Sequence, residues 1–367
     1  MIKCDTNIEA VYYTQIISGV DNMAKVKKLE GFMKGINLGG WISQGEKDPE
    51  YIKNFITEDD IRRIASWKVD HVRLPVDFDI IQDENENPIE LGHQCIENCI
   101  AWCRKYGLNL VLDVHKADGY VFDAYKGSEF FNDEKLQEKF YRLWDDLARR
   151  YSKHKDMIIL ELLNEVVDPN VAKQWNEIAA KAIKVIRNIS PDVRIIVGGV
   201  ENNAITSVKL LDPPADENII YTFHCYEPLI YTHQGAHWID TMDVNFRISY
   251  PGPFDEYLKA SKEQLGEKAG FLFDEKFGFT EIGTDFFEKF FKEAIEVAAE
   301  RNVTLYCGEY GVIDRADPKE SIKWYRDIQS VFEKYGIGRA AWTYKEKDFG
   351  LIGPAYDEIR DEIIALL

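Results

Sequence analysis

Two glutamates stand at the trailing ends of short apolar runs, Glu165 closing M-I-I-L-E-L-L-N-E (157–165) and Glu309 closing V-T-L-Y-C-G-E (303–309). A carboxyl group placed where a buried strand emerges into a loop meets a rigid, low-dielectric scaffold on one side and an open pocket on the other. In that setting it can be tuned for work as an acid, a base or a nucleophile. Further polar and aromatic residues stand at or near the ends of other apolar runs: Asn37, Trp41, Arg73, His115, Asn164, His224, Tyr226 and Trp342. Any one of them is readily explained as structural. Together they point to one site, provided that the fold makes these ends converge.

The runs themselves supply such a fold. M-K-G-I-N-L-G-G (33–40), H-V-R-L-P-V (71–76), L-N-L-V-L-D-V-H (108–115), the Glu165 run, R-I-I-V-G-G-V (194–200), I-I-Y-T-F-H-C-Y-E (219–227), the Glu309 run and G-R-A-A-W-T-Y-K (338–345) alternate with segments of helical periodicity. Alternation of this kind argues for repeated βα units and a parallel sheet. Eight units predict an α/β chain closed into a (β/α)8 TIM barrel, whose strands all present their C-terminal ends on one face.

The first helix is signalled by Thr57 as cap, by Glu58, Asp59 and Asp60 at the positive end of the dipole, and by the stripe Ile61, Ile64 and Ala65. Helices are also expected at about 135–152, 170–188, 285–301 and 318–335, with Trp144, Trp175 and Trp324 packed on the sheet. The connection after the sixth strand is too long for a plain loop, so an insertion subdomain is expected at about 229–284. Its aromatics, Tyr231, Trp238, Phe246, Tyr250 and Tyr257, wall a cleft or form a satellite core; the residue types allow both. Residues 1–30 read as an N-terminal extension, and 31–367 as a single catalytic domain.

A formal net charge of −19 opposes binding to nucleic acid or to anionic membrane surfaces and favours neutral ligands. No apolar run approaches the length needed to span a bilayer. The N-terminus makes a poor signal peptide, so a cytoplasmic location is the expectation, with secretion the alternative. Six unevenly spaced cysteines in a chain of this size suggest a reduced compartment. Cys95, Cys99 and Cys103 mark one face of a helix, where the outer two lie roughly 12 Å apart and cannot share one ion. No metal and no cofactor is expected, and the chain is expected to act as a monomer.

G-I-N-L-G-G-W, H-V-R-L-P, L-D-V-H, L-L-N-E, H-C-Y, Y-C-G-E-Y-G and A-W-T-Y-K, in this order, resemble the signatures of glycoside hydrolase family 5 across roughly residues 33–346. Within it the chain is most similar to bacterial β-glucanases of the cellulase, endoglucanase and lichenase type. The resemblance implies a (β/α)8 barrel and retaining hydrolysis of β-1,4 and mixed β-1,3-1,4 glucosidic bonds in a β-glucan or cello-oligosaccharide. It makes Glu165 the general acid/base and Glu309 the nucleophile. It places Arg73 and Tyr226 beside Glu309, which they should keep ionised, Asn164 on the sugar 2-hydroxyl, His115 and His224 in substrate-contacting and acid-orienting positions, and Trp342 under the sugar next to the scissile bond. Asn37 and Trp41 complete the expected substrate contacts.

The chain departs from the family after His115, where H-K-A-D-G-Y carries Lys116 and Asp118 in place of a second histidine and a proline. Glu161, Glu201 and Glu227 lack the motif context and read as structural. Exo-acting β-1,3-glucanase, β-mannanase and a non-catalytic carbohydrate-binding barrel are the competing readings. A metal-dependent hydrolase is disfavoured, because the first strand offers Asn37 and Trp41 instead of paired histidines and there is no H-E-x-x-H.

Overall fold

Strands buried on both faces are apolar nearly throughout, and eight such segments pair in parallel. The computed structural model describes residues 26–122, 128–266 and 278–367. Of the extension expected at 1–30, residues 1–25 lie outside them, while Val26 and Leu29 are buried with the barrel core. The strands are β1 (Lys34–Asn37), β2 (His71–Asp77), β3 (Asn109–Lys116), β4 (Ile158–Glu161), β5 (Arg194–Gly198), β6 (Ile219–Cys225), β7 (Thr304–Tyr310) and β8 (Gly338–Ala341). Each lies beside its neighbours in sequence, and β8 closes on β1 with Lys34 opposite Arg339 and Gly35 opposite Ala340. The (β/α)8 barrel is therefore complete.

Around it lie α1 (Pro49–Phe55), α2 (Glu58–Ser66), α3 (Glu90–Tyr106), α4 (Glu134–Tyr151), α5 (Ala172–Ile189), α6 (Phe254–Gln264), α7 (Thr284–Glu300), α8 (Pro318–Tyr335) and the C-terminal α9 (Arg360–Leu366). The expected helices match α2, α4, α5, α7 and α8. Helix α1 was not anticipated, although its start carries a signal: Asp48 accepts from Glu50 N at 3.0 Å and Tyr51 N at 2.9 Å, with Pro49 in the first turn. Between β5 and β6 the connection is a 3₁₀ turn at Ile205–Leu210.

Trp144, Trp175 and Trp324 are buried against the barrel, and each indole N–H finds a carbonyl: Leu162 O at 3.2 Å, Gly198 O at 2.8 Å and Glu227 O at 3.0 Å. Helix is thus tied to strand end. Cys95, Cys99 and Cys103 line the buried face of α3 as free thiols. Inside the barrel, Val111, Ile159, Ile196, Ile220, Tyr306 and Ala340 pack with Leu29 and Phe32. Above this apolar plug the inward positions turn polar.

Register decides which polar groups meet. Asn37 lies opposite Arg73, Asp113 opposite Glu161 and His224 opposite Glu309. Between β6 and β7 the pairing shifts, Phe223 facing Cys307 and His224 facing Glu309, so Gly308 is an extra residue. A bulge of this kind re-aims the side chain that follows it. Gly308 is also required for space, since a Cβ there would stand 2.9 Å from His224 Nε2.

The segment between β6 and α7 contains α6 and a small antiparallel ribbon pairing Gly252–Pro253 with Glu281–Ile282. Its aromatics divide between buried and exposed. Tyr231, Tyr250 and Tyr257 are buried in the core shared with the barrel, whereas Trp238 is 40% exposed.

Candidate active site

Arg73 faces the barrel interior from β2 and is fully buried, a position a guanidinium occupies only when its donors are matched. Nε and Nη2 grip the two oxygens of Glu161 at 2.7 and 3.0 Å. Nη2 also donates to Asn164 Oδ1 at 2.9 Å and lies 3.0 Å from Asp113 Oδ2. Nη1 donates to Asn37 Oδ1 at 3.0 Å and to Glu309 Oε1 at 2.8 Å. One cation faces three carboxyl groups. Loss of hydration outweighs its pull, raising Glu161 and pushing Asp113 and Glu309 up to about 7, with Arg73 opposing each rise.

Burial corrects two expected sugar contacts. Asn37 is enclosed: its Nδ2 is directed at the carbonyls of Gly308, Ala340 and Ala341 at 2.9, 3.2 and 3.3 Å, and its Oδ1 accepts from Arg73. It braces the arginine across β1, β7 and β8. Trp41 is buried too, donating to Ile52 O at 2.6 Å and stacking on Trp102 of α3. The first loop turns this indole into the core.

The remaining residues converge. Tyr226 Oη donates to Glu309 Oε2 at 2.8 Å, so both oxygens of Glu309 accept from fixed donors. His224 Nδ1 lies 2.7 Å from Glu165 Oε1 and 3.7 Å from Glu309 Oε2. Burial lowers His224 to about 4, against the pull of Glu309, which keeps its ring neutral near pH 7. The expectation that Arg73 and Tyr226 hold Glu309 ionised left out this burial. Desolvation and the Glu165 charge raise Glu309, and Arg73 and the Tyr226 hydrogen bond lower it.

Glu165 stands beyond the end of β4 with φ +42°. Left-handed backbone at a non-glycine residue needs support. Tyr120 supplies it, donating to Glu165 O and accepting from Val167 N at 3.0 Å. Asn164 N donates to Val114 O at 3.0 Å, and its side-chain Nδ2 is buried with no hydrogen-bond partner. One side-chain donor atom from each of Glu165, His224 and Glu309 lies within 4.8 Å of the others.

Beside the pair, the His115 ring lies parallel to the Trp342 indole, centroids 5.9 Å apart and planes 4° from parallel, with Phe122 edge-on to it at 4.8 Å. His115 Nδ1 is 2.6 Å from Asp113 Oδ2, and burial keeps the imidazole neutral. Gly39 lets the first loop pass against Trp342, since a Cβ there would meet the indole at 2.7 Å. In the divergent loop Lys116 lies 3.3 Å from Asp77 Oδ2, and Asp118 pairs with Lys139. Glu227 is buried behind the site and pushed up to about 7 by burial.

Several residues here were not among those expected. Asp113 lies two positions before His115 on the same strand, a spacing that puts both on one face. Tyr120, Asn202 and Asn203 sit in loops, without periodicity to announce them. Asn202 Nδ2 reaches Glu165 Oε2 at 3.3 Å.

With the geometry in place, the likenesses to known proteins are specific. The family model for cellulase (glycosyl hydrolase family 5) matches residues 29–348. The chain is 44% identical over 313 residues to Cellodextrinase A of Ruminococcus flavefaciens, covering 85% of each chain. It is 39% identical over 340 residues to Endoglucanase C of Acetivibrio thermocellus, covering 92% of this chain and 98% of that one. Crystal structures of Thermotoga maritima Cel5A in complex with a mannotriose substrate superpose with a TM-score of 0.69 at 26% identity, over 92% of this chain and 97% of that one. The strand-end carboxyl groups thus lie in a chain that belongs to glycosyl hydrolase family 5, as a glycosidase of the cellulase type.

Proposed function

We propose that this enzyme is a retaining endo-β-glucanase that cleaves β-1,4 bonds, and mixed β-1,3-1,4 bonds, by double displacement. The observation that carries the retaining mechanism is the closeness of the carboxyl groups, one oxygen of Glu165 and one of Glu309 lying within 4.8 Å of each other. Retaining glycosidases hold the two groups about 5–5.5 Å apart, whereas inverting enzymes need roughly 6.5–9.5 Å to admit a water between them.

The unequal surroundings assign the roles. Glu309 accepts from the charged Arg73 guanidinium as well as from Tyr226, whereas Glu165 meets a neutral amide and a neutral imidazole, so a proton on Glu309 would forfeit the ion pair with Arg73 and one on Glu165 would leave it intact. When the pair holds one proton, it resides on Glu165. Glu165 then protonates the leaving oxygen while Glu309 attacks the anomeric carbon, forming a glycosyl-enzyme. In the second step Glu165 takes a proton from water, which releases the sugar with its configuration retained. The unpartnered Nδ2 of Asn164 donates to the sugar 2-hydroxyl, a contact that strengthens in the transition state, and the face of Trp342 packs under the sugar at the scissile bond.

The named relatives, a cellodextrinase and an endoglucanase, support β-1,4-glucan as substrate. The relative crystallised with mannotriose supports β-mannan as the second reading. Release of reducing sugar from barley β-glucan, carboxymethyl cellulose, laminarin, glucomannan and cello-oligosaccharides tests the choice. Fast release from the first two with a rapid fall in viscosity is expected; release from laminarin alone would overturn it. Glu165→Gln and Glu309→Gln are each expected to abolish hydrolysis in folded protein, and a fluorinated glycoside is expected to label Glu309.

A further inference from the structure

Beyond β5 the chain passes Gly198 and Gly199 and then runs through three consecutive left-handed residues, Glu201 (φ 56°), Asn202 (φ 58°) and Asn203 (φ 55°). Asparagine tolerates this region better than most residues, but a run of three persists only where its surroundings over-determine it. Asn202 N donates to Val166 O at 3.0 Å, beside Glu165, and Ala204 pairs in parallel with His224. The two glycines leave the necessary room. A Cβ at residue 198 would stand 2.2 Å from Asn203 Oδ1, and one at 199 would stand 2.2 Å from Ser207 Oγ.

The turn brings one amide to the Glu165 carboxyl group and a second to the histidine beside it. Asn202 Nδ2 is 3.3 Å from Glu165 Oε2. Asn203, fully buried, places Nδ2 3.4 Å from His224 Nε2, and the opposite ring nitrogen of His224 is the one 2.7 Å from Glu165 Oε1. A neutral imidazole carries one N–H, and the unbonded nitrogen accepts. An amide N–H directed at Nε2 makes that atom the acceptor and leaves the proton on Nδ1, facing Glu165. Both oxygens of Glu165 are therefore addressed from one turn, one directly and one through His224.

Resting on the assignment of Glu165 as acid/base, we propose that Asn202 and Asn203 are positioning residues. Their left-handed turn fixes the orientation of the Glu165 carboxyl and the tautomer of His224, so that the proton is delivered along the line to the leaving oxygen.

Asn202→Gly and Asn203→Gly test this, because glycine adopts left-handed backbone freely and the exchange removes only the amides. Each variant is assayed on cellotetraose, whose leaving alcohol needs a proton, and on 2,4-dinitrophenyl β-cellobioside, whose leaving group does not. For Asn202→Gly, kcat/KM on cellotetraose is expected to fall roughly 10-fold while the dinitrophenyl substrate changes by less than about 2-fold. Asn203→Gly is expected to show the same split. Asn202 is exposed, so its variant remains informative if the buried Asn203 variant fails to fold by thermal melting. Equal loss on both substrates, or loss on neither, would overturn the proposal. Glu165→Ala in the same two assays separates this from the reading beneath it. Uniform loss there overturns the acid/base assignment itself; a split there without one in Asn202→Gly overturns the positioning role alone.

Discussion

Arg73 donates through Nη1 to Oε1 of Glu309 at 2.8 Å, and this contact binds the site's chemistry to the stability of the barrel. The same guanidinium is the counter-charge for Glu161 and Asp113, both fully buried. Arg73→Ala leaves these carboxyl groups without it, and breaking a buried pair from one side costs about 3–5 kcal/mol. Urea unfolding should register a loss of that order, with activity falling below detection. Arg73→Lys keeps the charge but not the fork. It should recover part of the stability and little of the turnover, because one ammonium cannot hold Glu161 bidentately while reaching Glu309 and Asn164. A lysine variant with near-normal kcat would refute the hub role.

Tyr226→Phe removes one of the influences that lower Glu309. Glu309 must be ionised to attack, so in the proposed mechanism its titration sets the acid limb of the kcat/KM profile. Burial raises it, and because the attacking form carries a protonated Glu165 the limb lies below the value of about 7 that Glu309 has beside an ionised Glu165. Activity should therefore drop as pH falls through that region in the wild type. In the variant the limb should move to higher pH, and kcat should fall roughly 10- to 100-fold at its optimum. Rates measured from pH 5 to 9 would show this, and a limb moved to lower pH would contradict it.

The barrel was legible because a strand buried on both faces is mostly apolar, and eight such runs recur between segments of helical periodicity. Glu165 and Glu309 were legible for the converse reason, a charge at the end of such a run having few explanations. Trp41 was misread because strand-end position says nothing of where the following loop turns its side chain; contact with Trp102 on α3 decides it. Asp113 was hidden within a strand, though its spacing from His115 placed it on the same face. Asn202 and Asn203 left no pattern, since a left-handed turn has neither helical nor strand periodicity.

Glu165, His224 and Glu309 converge closely enough to chelate a cation, which makes metal dependence an alternative to be tested directly. The donors already present argue against it. One oxygen of Glu309 is held by a guanidinium and the other by a phenol, and His224 Nδ1 is engaged with Glu165. A cation would have to displace these bonds and sit near the Arg73 charge. Turnover of cello-oligosaccharides should be unchanged after dialysis against excess chelator, within about 2-fold, and should not rise on adding divalent ions. Loss on chelation, restored by one metal, would sink the double-displacement reading.

Trp238 is the exposed member of an aromatic series that begins at the site. Tyr226, which donates to Glu309, has ring neighbours His233 at 5.2 Å and Phe349 at 5.7 Å, and Trp238 lies 6.0 Å from His233 and 6.5 Å from Phe349. Its indole is 40% exposed, whereas Tyr231, Tyr250 and Tyr257 of the same segment are buried. A pyranose ring has an apolar face that packs on such a surface. A sugar unit resting there would be remote from the reacting bond, so its binding would be felt equally in the ground and transition states. Trp238→Ala should therefore raise KM on cellohexaose roughly 2- to 10-fold with kcat unchanged. On 2,4-dinitrophenyl β-glucoside, whose single sugar ring occupies only the reacting site, KM should stay as it is. A fall in kcat on both substrates would mean instead that the series holds Tyr226 in place against Glu309.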